Sequence, residues 1–169
     1  MAAATGFLHE LVAEYRVRLE RHRNRPFLRA SMAACALVAS VDGEVTLSQR
    51  VRVDQILDTL EALQVFDPHE AVDLFNEYVA SIFASPRAGR RAALDDVRKV
   101  AAGDPEKALL IVRICLAVGD AGGDISIAEQ IEIVTLCSLL GVAPDDCGLY
   151  TDSRSQGLLA AALGPEKAP

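Results

Sequence analysis

The sequence predicts an all-α protein, a single compact bundle of about seven helices. Hydrophobic residues make up 51% of the 169 residues and aromatic residues only 5%, a composition that favours packed helices over sheets. Apolar residues recur at spacings of three and four, and helix start and stop signals divide the chain. One stretch also occurs twice, and a helix–turn–helix unit used twice would form a compact bundle.

The first part of the chain predicts two helices. Residues 6–22 place apolar side chains on one helical face. Asn24 can cap the next helix, with Pro26 in its first turn, and Gly43 supplies the left-handed residue that commonly closes a helix. We therefore expect an N-terminal helix at 1–25, a helical domain at 26–149 and a flexible Ser-, Gly- and Ala-rich tail at 150–169.

Capping signals predict the remaining helices. Thr46 and Gln49 have the spacing of a capping box, and Ser126 and Glu129 repeat that spacing. An Asp-Pro pair begins a helix at 67–68 and again at 104–105. After the break "SPRAG" we expect a helix over 89–101, then a central buried helix ending near 119, and a last clear helix from Ser126 to Gly141.

Residues 34–53, "ACALVASVDGEVTLSQRVRV", align without gaps to residues 114–133, "ICLAVGDAGGDISIAEQIEI". The offset is 80 positions (123 − 43 = 80). Glycine, acid, apolar residue and hydroxyl recur in the same order, as Gly43 to Thr46 and Gly123 to Ser126. We call these stretches the first and the second copy.

The two acidic turns predict a candidate cation site. Hard divalent cations such as Ca²⁺, Mg²⁺ and Mn²⁺ take oxygen ligands from carboxylates close together in sequence. The candidate metal ligands are Asp42, Glu44, Asp120, Asp124 and Glu129. The second turn is not an EF-hand, because Ile125 and Ile131 stand where that loop needs glycine and glutamate. The competing interpretation is purely structural: acids near a helix start interact favourably with the helix dipole.

Composition also bounds the function classes. The net charge of −7 argues against a nucleic-acid partner. No signal peptide and no transmembrane helix is expected, and a reduced, cytoplasmic setting is the simplest context for the four cysteines, of which Cys35, Cys115 and Cys137 fall in apolar helical stretches. No nucleophile elbow, phosphate-binding glycine loop or HExxH motif occurs, so an enzyme using paired carboxylates is only a third hypothesis.

The two copies and the closing "LGVAPDD" at 140–146 resemble the TerB-like family, which is associated with tellurite resistance. The resemblance covers roughly residues 26–149. It implies an all-helical fold of about seven helices and a cytoplasmic, non-enzymatic protein linked to stress response and to larger assemblies near the membrane. It also implies that acidic residues of the turns are candidate metal contacts.

The chain departs from the family pattern at one acid in each copy. Gln49 stands where the pattern has glutamate, and Gly122 stands where it has the aspartate of Asp-Gly. Asp120 is an additional acid in the second turn. The leading hypothesis is a tellurite-resistance or stress-response accessory protein that binds a divalent cation. The alternative is a metal-free scaffold domain whose acidic face docks a basic protein partner; the sequence leaves the oligomeric state open.

Overall fold

The computed structural model describes residues 2–149. Side-chain surroundings are described from Asn24 onward, apart from Glu61 and Ala62, and earlier only for Val12, Ala13 and Arg16. The all-α prediction is confirmed, because the described residues form eight α-helices and one 3-10 turn. They are α1 (Ala2–Ala39), α2 (Leu47–Thr59), α3 (Glu61–Gln64), α4 (Pro68–Ala84), α5 (Pro86–Ala101), α6 (Pro105–Gly119), α7 (Ile127–Leu140) and α8 (Pro144–Cys147), with the 3-10 turn at Asp120–Gly122.

Most predicted helix boundaries are confirmed by their caps. The Asp67 side chain accepts a hydrogen bond from the His69 backbone N–H at the start of α4, and Asp104 does the same for Lys107 at the start of α6. Gly141 closes α7 in the left-handed region, with φ 70°. Glycine adopts this conformation without steric strain because it has no Cβ. The short helix α8 was not predicted, and the predicted tail at 150–169 lies outside the described residues.

The predicted helix break at Asn24–Pro26 is wrong, since α1 is one continuous helix with Pro26 inside it. A proline in a helix interior removes one backbone hydrogen bond. Pro26 is exposed, so water can hydrate the carbonyl that loses its donor. Immediately afterwards α1 becomes the centre of the core, and every residue from Ala30 to Ala39 is buried. That burial stabilises the helical conformation past the proline.

The predicted start of α5 at residue 89 is also wrong, because the helix begins at Pro86. Proline is well suited to the first helical position, where its missing N–H has no intrahelical partner. Gly89 has a different role: a Cβ there would lie 2.5 Å from the Ser81 carbonyl oxygen. The glycine lets α5 cross close over the end of α4.

The core forms around α1 and α6. Helices α4 and α5 pack extensively on α1, while α6 contacts α1, α2, α5, α7 and α8, which confirms its predicted central position. Both α2 and α7 lie against α6, and this arrangement brings the two acidic turns together. No described helix is both long enough and apolar enough to cross a membrane.

Candidate functional site: two acidic turns joined through Gln49 and Glu129

The first turn connects α1 to α2. Gly43 takes φ 90°, a conformation that strains any residue with a Cβ. Three residues later Thr46 begins α2: its hydroxyl accepts from the Gln49 N–H, and the Gln49 side chain accepts from the Thr46 N–H at 3.0 Å. The predicted capping box is confirmed, and it fixes the direction of the Gln49 amide.

The second turn, from α6 to α7, is built in the same way. Gly123 takes φ 94°, the Ser126 hydroxyl accepts from the Glu129 N–H, and Glu129 Oε2 accepts from the Ser126 N–H at 3.0 Å. This capping box is also confirmed. Because α7 and α2 begin with the same capping box, Glu129 projects from its helix at the position that Gln49 has on α2.

The two turns face each other through these equivalent side chains. Gln49 Nε2 donates to Glu129 Oε1 at 2.6 Å, and both residues are buried. A second bond joins the turns where the Ser126 hydroxyl donates to Asp42 Oδ2 at 2.8 Å. We call Asp42, Gln49, Ser126 and Glu129 the hub. It ties the end of α1 and the start of α2 to the start of α7.

The hub concentrates negative charge among neutral donors. Burial raises the pKa of Glu129 above its ordinary value, and the nearby charge of Asp42 raises it further. Hydrogen bonds from Ser126 and Gln49 act in the opposite direction, because they stabilise the ionised carboxylate. The hub therefore holds a carboxylate that is costly to ionise and is satisfied by hydrogen bonds rather than by a cationic side chain.

The structure brings together two of the five predicted metal ligands. Asp42 and Glu129 meet in the hub, while Glu44, Asp120 and Asp124 are exposed residues of the same two turns. Among the residues that the structure describes, no group of three or more His, Cys, Asp or Glu side chains is arranged to hold a metal ion. Both Glu129 oxygens already accept hydrogen bonds. Metal binding by the five residues stays a prediction.

Two exposed apolar pairs flank the hub and were not recognised from the sequence. Leu47 and Val51 on α2 are 77% and 46% exposed, and Ile127 and Ile131 on α7 are 77% and 61% exposed. Each pair is spaced by four residues, so its members share one helix face. We call them the outer pairs. They follow from the hub, because a residue two positions from Gln49 or Glu129 points to the opposite side of its helix.

An ion pair between a buried carboxylate and a partly exposed arginine, also missed by the sequence analysis, joins α7 to α5. Glu132 is 5% exposed, and both of its carboxylate oxygens accept from Arg90 Nη2 of α5, at 2.9 and 2.8 Å. The first copy has Arg52 at the corresponding position. A carboxylate and a guanidinium at equivalent positions show that the two copies meet different surroundings.

The cysteines are core residues, as predicted for three of them. Cys35, Cys115, Cys137 and Cys147 are all buried and free. Burial raises the pKa of Cys35 to about 12 and is the largest cause that raises the pKa of Cys137 to about 12. Since the thiolate is the reactive form, these two thiols are poor nucleophiles at neutral pH.

Comparison with known proteins places this architecture in a family. The family model for "Tellurite resistance protein TerB" matches residues 28–151. The chain belongs to the TerB family. A "Tellurium resistance protein TerB" from Alcaligenes sp is 27% identical over 94 residues, which cover 56% of this chain and 76% of that relative. No solved structure gives a significant match. The predicted family resemblance is confirmed, and the TerB match includes both turns and the entire hub.

Proposed function

We propose that this chain is a non-enzymatic accessory domain of a tellurite-resistance system, and that it works by docking a protein partner beside its acidic turns. The observation that carries the proposal is the exposure of the two outer pairs. Leu47 and Ile127, at equivalent positions of the two copies, are each 77% exposed. Large apolar side chains exposed side by side on one helix face, as in each outer pair, are typical of interaction surfaces. Their recurrence in both copies gives the domain two similar contact points.

The charge around the outer pairs indicates the chemistry of the partner. Glu44 and Asp124 are exposed in the turns that precede α2 and α7, and the whole chain carries −7. Complementary charge favours the correct partner and speeds its association. We therefore infer a partner segment with apolar side chains for an outer pair and Lys or Arg for the acidic turn. Two such segments in one partner would strengthen binding through effective concentration.

A defined peptide tests this proposal. The probe is a helical peptide of about 18 residues, or five turns, with leucine on one face and lysine on the other. We expect it to bind the wild-type chain in calorimetry. The double substitution Leu47→Ser and Ile127→Ser should weaken binding by at least about tenfold, because full burial of such a side chain contributes about 1.5–3 kcal/mol.

The matched control is Phe83→Ser, which removes an apolar side chain of α4 that is 44% exposed and should leave the affinity unchanged. Glu44→Gln with Asp124→Asn should weaken binding at low salt, and the difference should shrink as salt screens the charges. Equal affinity of the wild type and the Leu47/Ile127 variant would place the docking surface elsewhere. Absence of binding to the wild type would remove this proposal.

Cation binding is the second candidate function, and the hub supplies the observation that favours it. Asp42 and Glu129 are close enough for the Asp42 charge to raise the Glu129 pKa, and their bonding partners across the hub, Ser126 and Gln49, are neutral. A hard divalent cation would offset this charge. Asp42 and Glu129 would be its central ligands, with Glu44, Asp120 and Asp124 contributing from the turns.

Calorimetry and melting of metal-stripped protein with Ca²⁺, Mg²⁺ and Mn²⁺ test the second candidate. A bound ion should raise the melting temperature by mass action, and Asp42→Asn should remove that rise, whereas Asp73→Asn on the exposed side of α4 should not. Gln49→Glu should increase the affinity, because it adds a carboxylate opposite Glu129. If millimolar metal gives neither heat nor a melting shift in the wild type, the cation hypothesis is wrong.

A further inference from the structure

A second surface, separate from the outer pairs, lies between α2 and α6. An open groove of about 480 Å³ runs between these helices. Its floor is apolar and its rim is basic: Ile56, Leu60, Leu110 and Ile114 line it together with Arg52 and Arg113. The groove is open to solvent rather than enclosed, so it is better suited to bind the apolar face of a helix than to enclose a small molecule.

The two arginines of the groove have no acidic partner among the described residues. Arg52 Nη1 donates to the Ala117 carbonyl at 3.0 Å, and Arg113 Nη2 donates to the Asp146 carbonyl at 3.3 Å. Among the described arginines, Arg25, Arg29 and Arg90 form ion pairs with carboxylates. In a chain with net charge −7, these two arginines place positive charge beside the apolar groove.

The contact between α1 and α7, which is equivalent to the one between α6 and α2, shows the same positions when they are covered. Glu132 occupies the position equivalent to Arg52, and it is buried under Arg90 of α5. Ala34 and Leu37 of α1 correspond to Ile114 and Ala117 of α6. Ala34, Leu37 and Ile114 are buried, whereas Ala117 is half-buried at the groove. Helix α5, which packs on α1 and carries Arg90, supplies a basic side chain to an acidic position. The α2–α6 groove has the reverse charge and no covering helix among the described elements.

We propose that the α2–α6 groove binds an amphipathic helix of a partner protein whose apolar face lies on the half-buried Leu60 and Leu110 and whose acidic side chains pair with Arg52 and Arg113. Helix-in-groove binding uses anchors spaced by three and four residues, and planar guanidinium groups pair well with carboxylates. The partner helix for the groove must be acidic, whereas the partner segment proposed for the outer pairs is basic. The two surfaces can therefore be tested separately.

The test uses a helical peptide with leucine on one face and glutamate on the other, titrated into isotopically labelled chain and followed by NMR. We expect chemical-shift changes concentrated in α2 and α6 around the groove. Arg113→Glu should weaken the affinity by at least about tenfold, since it replaces an attractive pair with a repulsive one. Arg98→Glu, which changes the same charge at an exposed position of α5, should leave the affinity unchanged.

A second variant separates groove occupancy from charge. Gln55→Trp places a large side chain at the groove without changing its charge, and it should also weaken the peptide at least fivefold. Circular dichroism melts establish that each variant folds. The proposal is overturned if the wild type does not bind, if Arg113→Glu binds equally well, or if the shifts lie outside the groove. It is also overturned if ultracentrifugation shows that a second copy of the chain occupies the groove, with Arg113→Glu abolishing a dimer.

Discussion

The first and second copies use the same local devices and differ in the charges that face their neighbours. Both have a glycine with positive φ and a hydroxyl cap whose box is closed three residues later. They differ where Gln49 corresponds to Glu129 and where Arg52 corresponds to Glu132. Backbone devices recur because each turn has the same unsatisfied N–H groups to cap. A side chain that contacts another helix must be complementary in charge and hydrogen bonding to the residues of that helix.

Gln49 and Glu129 show why the copies cannot be identical at every position. These equivalent side chains contact each other at 2.6 Å. Two glutamates at that distance would not both ionise without a cation or a shared proton. An amide opposite a carboxylate gives a donor and an acceptor instead. At residue 49 a glutamine therefore gives a hydrogen bond that joins the turns, where a glutamate would give a repulsive contact.

The largest expected difference between the copies concerns the equivalent positions 52 and 132. Arg90→Ala leaves the buried Glu132 without its cation, and we expect a loss of about 2–4 kcal/mol in the free energy of unfolding, somewhat below a fully buried pair because Arg90 is partly exposed. Arg52→Ala removes only one hydrogen bond to a carbonyl and should cost about 0.5–1.5 kcal/mol. Urea unfolding of both variants measures the difference.

The double variant Arg90→Ala with Glu132→Gln is the control for that prediction. Once the buried charge is gone, most of the stability lost in Arg90→Ala should return, because the penalty comes from the unpaired carboxylate rather than from the missing arginine. If the double variant is as unstable as Arg90→Ala alone, packing of the Arg90 side chain is the dominant contribution, and the explanation by an unpaired Glu132 carboxylate is wrong.

The two helix caps should differ by a smaller amount. Thr46→Ala removes one cap and should cost about 1 kcal/mol. Ser126→Ala removes a cap and also the hydrogen bond to Asp42, so we expect about 1.5–2.5 kcal/mol in total. Thermal or urea melts of the two variants test the order.

An Asp42→Asn background isolates the hydrogen bond between Ser126 and Asp42. In Asp42→Asn the Ser126 bond loses its ionised acceptor, so the difference between Ser126→Ala and Thr46→Ala should narrow. Ser126→Thr keeps the hydroxyl and should be nearly neutral. A cost for Thr46→Ala equal to or larger than that for Ser126→Ala would show that the bond across the turns contributes nothing measurable.

Local sequence signals predicted the framework of the site accurately. Thr46, Ser126 and Gly141 each have a specific capping role that depends on a few neighbouring residues, and each takes that role in the structure. Gly43 takes the predicted left-handed conformation, but α1 ends at Ala39, so this glycine lies in the turn and does not close the helix. Pro26 was misread because its local preference for a helix start is overridden by the burial of the α1 residues that follow. That burial depends on α4 and α5, which are distant in sequence.

Features that depend on two elements were not predicted. Glu132 reads as an ordinary helix acid until Arg90 of α5 covers it, and nothing near either residue indicates the other. The Gln49–Glu129 bond could have been predicted, because the alignment of the two copies already paired these positions. The missing step was that equivalent residues of two facing copies meet each other. The same step predicts that Leu47 and Ile127, two positions away, point outward.

The smallest expected effect is a pH dependence that belongs to the second copy alone. The folded-state pKa of Glu129 is raised, so the folded chain takes up this proton at a higher pH than the unfolded chain. Below the unfolded pKa the associated stability is fully present, and it is lost as pH rises through the raised folded pKa. Other carboxylates titrate in the same range, so the measurement is the difference in unfolding free energy between the wild type and Glu129→Gln.

At neutral pH Glu129→Gln loses one accepted hydrogen bond, about 0.5–1.5 kcal/mol, and removes a costly buried charge, so the two changes largely offset. As pH falls toward 4.5, the ordinary value for the group, only the wild type can gain a proton at this site, and the difference should move in its favour. Asp42→Asn should reduce that movement, because the Asp42 charge contributes to the raised pKa. The Gln49 amide does not titrate in this pH range, so Gln49→Ala should leave the direction of the change in unfolding free energy the same. A difference that stays flat from pH 7.5 to 4.5 would mean that the Glu129 carboxylate is as well stabilised in the hub as it is in water.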